Sequence, residues 1–123
     1  MADLATADLR PFVPARDFGL SKKFYASLGW SLKDVADGLA LVQPGERSFY
    51  LQDHYVKAFA QNTVLHLGVA DAQAWYEHVA AVLRDGKFEG AHVQAPKRQP
   101  YGALVTFVHD PAGVLLQLCQ WDR

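Results

Sequence analysis

The sequence contains one cysteine, one methionine and no isoleucine. A single thiol, Cys119, cannot form an internal disulfide, which excludes a small secreted scaffold stapled by bridges. Basic runs are missing too. Twelve Lys and Arg are set against thirteen Asp and Glu, for a net charge of -1, so no electrostatic drive toward a phosphate backbone exists. No apolar stretch approaches membrane-spanning length, and Met1-Ala2-Asp3-Leu4 lacks the basic start and apolar run of a secretion signal. These absences lead us to expect a soluble, cytoplasmic protein with neither nucleic acid nor membrane as partner. Half of the 123 residues are hydrophobic, enough for one core, so residues 1–123 are expected to form a single domain packed by Ala, Val, Leu and aromatics.

The chain carries the same order of elements twice. Leu9 to Ala15 is extended and apolar but holds Pro11 and Pro14, which suits an edge strand. Asp17 caps a helix with Leu20, Phe24, Tyr25 and Leu28 on one face and Gly29 just past its end. Strands follow at Trp30 to Val35, Leu39 to Val42 and Ser48 to Gln52, separated by Asp37-Gly38 and Pro44-Gly45 turns. A polar and aromatic connection at about 54–62 separates a first module (about 8–53) from a second (about 63–121). There Val64 to Val69 is a strand, and Asp71 caps a helix with a stripe of Trp75, Tyr76, Val79, Val82 and Leu83. Further strands are predicted at His92 to Ala95, Ala103 to His109 and Val114 to Gln120, with Pro96 to Gly102 as a loop. The expected fold is α+β: two tandem βαβββ modules forming curved mixed sheets around a cleft, with the helices outside.

Val13-Pro14-Ala15-Arg16-Asp17, followed by Lys23-Phe24-Tyr25 and Leu28-Gly29-Trp30, resembles the opening of the vicinal-oxygen-chelate superfamily of glyoxalases, bleomycin-resistance proteins and extradiol dioxygenases. Tyr101-Gly102 and Asp110-Pro111-Ala112-Gly113-Val114-Leu115-Leu116-Gln117 are similar to its aromatic-Gly element and terminal hairpin. The likeness spans nearly the whole chain and is greatest to the bleomycin-resistance branch. It implies a homodimer with ligand grooves at the subunit boundary, sometimes with the first strand exchanged. Pro11 or Pro14 then serves as a hinge, or simply guards an edge from pairing.

Enzymes of that superfamily hold a divalent metal with His, Gln or Glu from the first and last strand of each module. The corresponding positions here are Arg10, Val64, Phe49 and Gln117, of which only Gln117 offers a lone pair. His66 lies on the same strand face as Val64 but lacks partners, because His54, His78, His92 and His109 fall at ends, turns or helix positions. The expectation is therefore no metal, no cofactor and no catalytic residue, with Cys119 packing as a small hydrophobe. Alternating positions put Arg10, Phe12, Phe49, Leu51, His66 and Gln117 on the cleft wall, joined by Tyr101 from the loop. The first reading is a metal-free protein that sequesters a small aromatic or antibiotic-like ligand in a dimer-interface cleft. The second is a metal-dependent lyase, isomerase or dioxygenase of the same superfamily, built around His66 and Gln117.

Overall fold

The structure is a computed structural model that describes all 123 residues. Its elements are β1 (Phe12–Ala15), α1 (Phe18–Ser27), β2 (Ser31–Ala36), β3 (Leu39–Gln43), β4 (Phe49–Asp53), α2 (Lys57–Gln61), β5 (Val64–Gly68), α3 (Ala72–Asp85), β6 (His92–Gln99), β7 (Ala103–His109) and β8 (Leu115–Trp121). The two long helices start in the same way: Asp17 accepts a hydrogen bond from the Leu20 amide at 3.1 Å, and Asp71 from that of Ala74 at 2.9 Å. Gly29 stops α1 at φ +98°, a left-handed conformation that a side chain would strain.

Each half builds one four-stranded mixed sheet on the same plan. The orders are β1-β4-β3-β2 and β5-β8-β7-β6, and in each the first strand runs parallel to the last while the other pairs are antiparallel. The architecture is thus α+β with two four-stranded sheets and no closed barrel, as the repeated order predicts. Pro14 sits on β1 at the free edge of its sheet, where its missing amide costs no ladder bond.

One cluster of 16 buried residues joins the halves. Val13, Phe24, Tyr25, Val42 and Leu51 of the first meet Val79, Val108, Leu116 and Leu118 of the second. Polar contacts cross the same junction: the buried Tyr25 hydroxyl donates to Asp110 at 2.6 Å, and His78 Nε2 lies 3.0 Å from the Leu28 carbonyl oxygen. The extensive strand–strand contacts are all within a sheet, so the halves meet through their helix-covered sides.

Three local features differ from the sequence reading. The connection between halves contains the five-residue α2, too short to show a period. The stretch read as a loop from Pro96 continues β6 to Gln99, because a register shift between Gln94 and Lys97 leaves Ala95 and Pro96 outside the ladder of an edge strand. The last strand extends one residue further, to Trp121.

Candidate functional site

Register and burial together give each sheet a helix-covered face and an outer face. In the first sheet Val13, Ala15, Ala40, Val42, Phe49 and Leu51 enter the core. Their neighbours along the strands, Phe12, Tyr50, Gln52, Leu39, Leu41 and Lys33, share the outer face. In the second sheet Leu65, Leu67, Leu116 and Leu118 turn inward, and His66, Gln117, Trp121, Phe107 and His109 turn outward.

Five of the seven predicted wall residues form two groups on these outer faces. Arg10 and Phe12 meet on the first sheet. The Arg10 guanidinium donates from Nε to Ser48 Oγ at 2.8 Å and from Nη1 to the Tyr50 hydroxyl at 3.2 Å, and the rings of Phe12 and Tyr50 lie 5.0 Å apart. His66, Gln117 and Tyr101 gather on the second sheet around Trp121. His66 and Gln117 are register partners, and the Trp121 ring lies 5.7 Å from His66 and 5.6 Å from Tyr101. Phe12, Tyr101 and Trp121 are each about half exposed, at 53%, 53% and 49%. These are large aromatic rings left half open on the sheet surfaces.

Phe49 and Leu51 do not stand on an outer wall. They are 3% and 0% exposed and face the helices, because β4 is one residue out of the expected phase and such a slip turns every side chain over. Phe49 borders, together with the predicted His66, a groove of about 740 Å³ along the free edge of β5, beside Trp30, Trp75, Arg47 and Leu65. Tyr50 and Trp121 take the places on the outer faces that the sequence reading left unfilled.

The donor sets do not fit a divalent metal. Facing outward on the first and last strands are Phe12, Pro14, Tyr50 and Gln52 in one sheet, and Val64, His66, Leu115 and Gln117 in the other. With Gly68, Cys119 and Trp121, which share that face, these positions offer one imidazole, one buried thiol and two neutral amides, and no three His, Cys, Asp or Glu side chains come together. On the outer face of β8 Cys119 is buried with Ala103 and Val105; burial pushes its thiol above the ordinary 9.0, which lowers the thiolate fraction at neutral pH.

His92 and His109, cross-strand partners on β6 and β7, stack with ring centroids 4.3 Å apart. Burial first, and then the His92 charge, hold His109 below its ordinary 6.5. Folding therefore favours neutral His109: the advantage is complete above pH 6.5 and is lost as pH falls from there through the depressed folded value. Melting temperature should accordingly drop between about pH 7.5 and 5.5, with a shallower slope in His109→Gln and an intermediate one in His92→Gln. Identical slopes in all three proteins would remove the pair as the cause.

No family model matches the sequence, and no curated protein matches it. Solved structures do. A bleomycin resistance determinant encoded on the transposon Tn5 is 25% identical and has a TM-score of 0.80, covering 96% of this chain and 100% of its own. A bleomycin-binding protein complexed with bleomycin is 25% identical with a TM-score of 0.78, over 95% of this chain and 100% of its own. A bleomycin-binding protein from bleomycin-producing Streptomyces verticillus, complexed with copper(II)-bleomycin, is 20% identical with a TM-score of 0.79, over 98% and 100%. With repeated βαβββ sheets, outer aromatic faces and these structural neighbours, the chain has the fold of the vicinal-oxygen-chelate superfamily in the form found in bleomycin-resistance proteins.

Proposed function

We propose that this chain sequesters a small aromatic or antibiotic-like ligand without a metal, in a cleft formed when two copies bring the outer face of one first sheet against that of the other's second sheet. The observation that carries this reading is the pair of aromatic groups, Phe12 with Tyr50 and Tyr101 with Trp121, on two sheet faces that are not packed on each other within the chain. A half-bare sheet face must find cover, and a second copy supplies the complementary one. Structural neighbours that bind bleomycin support the same kind of role. Arg10, Phe12, Tyr50, His66, Tyr101, Gln117 and Trp121 are the proposed contacts. Protection then comes from affinity alone, and the donor sets give the metal-dependent reading no foothold.

Sedimentation and thermal-shift screening test this together. A dimer is expected at micromolar concentration. A compound present at a hundredfold excess over its Kd should stabilise the protein by about 2.7 kcal/mol, roughly 10 °C, equally with added divalent ions or with chelator. A monomeric protein, or hits that require a metal ion, would overturn the proposal.

A further inference from the structure

We infer, on the reading that the outer faces bind a small aromatic guest, that this guest carries a negative charge. Every charged strand residue on these faces is a cation. Lys33 projects from the first face, in register with Leu41 and through it with Tyr50, and Lys97 from the second, in register with Val105. Arg10, just before β1, reaches the first face through Ser48 and Tyr50.

The acids lie elsewhere. Asp34 turns to the helix side and meets Lys22 at 3.2 Å, Asp110 is buried at the junction, and Asp122 is held by Arg98 at 2.7 Å. Asp8, on the exposed N-terminal segment, forms an ion pair with Arg10 Nη1 at 3.4 Å, so Lys33 and Lys97 are the cations of these faces with no acid in an ion pair with them. The chain as a whole has a net charge of -1, so the positive character of these faces is a matter of placement, not of composition. The Arg10 guanidinium is held in place on this face, with Nε on Ser48 and Nη1 on Tyr50. A carboxylate, sulfonate or phosphate beside an aromatic ring would pair with the lysines while its ring stacks on Phe12, Tyr50, Tyr101 or Trp121. A cationic aromatic would meet repulsion on both faces.

Titration calorimetry with three probes of one ring system tests this: 2-naphthalenesulfonate, 2-naphthol and trimethyl(2-naphthyl)ammonium. The sulfonate should bind about tenfold or more tightly than the ammonium compound at low salt, with the gap narrowing as salt is added. The Lys33→Glu/Lys97→Glu double variant changes two exposed side chains, keeps its melting temperature, and should lose or reverse that preference. Ammonium binding equal to or tighter than sulfonate binding overturns the charge inference and leaves the ligand site standing. If none of the three binds, the ligand site falls, and the charge inference with it.

Discussion

Replacing Asp110 by Ala should lower the free energy of unfolding by about 3 to 5 kcal/mol, measured by denaturant titration. The carboxylate closes the β7–β8 turn by accepting from the Ala112 amide at 2.8 Å and the Val114 amide at 3.0 Å, while its other oxygen takes the Tyr25 hydroxyl across the junction. Alanine would leave three buried donors without acceptors. Burial lifts the Asp110 carboxyl above its ordinary 3.8, against the opposing pull of the Tyr25 and backbone hydrogen bonds. Because the folded value is raised, ionisation costs stability: the cost is absent below 3.8 and complete once pH passes the raised value. Asp110→Asn keeps an acceptor oxygen and cannot ionise, so it should be milder than Ala and should gain on the wild type as pH rises through that window. A loss below about 1 kcal/mol for Asp110→Ala would show that the turn and junction are held by other groups.

The second large effect concerns affinity. For a compound found by thermal-shift screening, Trp121→Ala should weaken binding by about ten- to a hundredfold, and Tyr101→Ala by about tenfold, since exposed aromatic anchors carry a disproportionate share of contact energy. Both rings stand about half exposed on the second sheet, so their removal should leave the unfolding midpoint nearly unchanged. Calorimetric affinities unaltered in both variants would take this face out of the binding site.

Much of the architecture was readable because punctuation and period agreed. Asp17 and Asp71 each precede an apolar stripe at helical spacing, and Asp37-Gly38 and Asp110-Pro111-Ala112-Gly113 mark turns between strands. The site was less readable, for a local reason. Phe49-Tyr50-Leu51 is an unbroken apolar run, so no alternation says which residue turns inward, and the choice fell one residue out of phase. Partners on β3 decide it: Ala40 and Val42 lie opposite Leu51 and Phe49 and carry them into the core. Trp121 is not legible as a wall residue because the last strand runs on between the polar Gln120 and Asp122 with no turn signal to mark its boundary. Pro96 read as a stop, and only the edge position of β6 explains how a strand runs through it.

The placement of the three indoles makes this molecule its own optical instrument. Trp30 and Trp75 lie 6.1 Å apart at the junction between halves, whereas Trp121 stands half in solvent on the outer face. Emission from this pair, Trp30 buried and Trp75 partly so beside the groove, should report whether the halves stay together, and the longer-wavelength emission of the third whether anything has settled on the sheet. A Trp121→Phe protein would silence one channel and leave the other intact, so occupancy and unfolding can be followed separately in one cuvette.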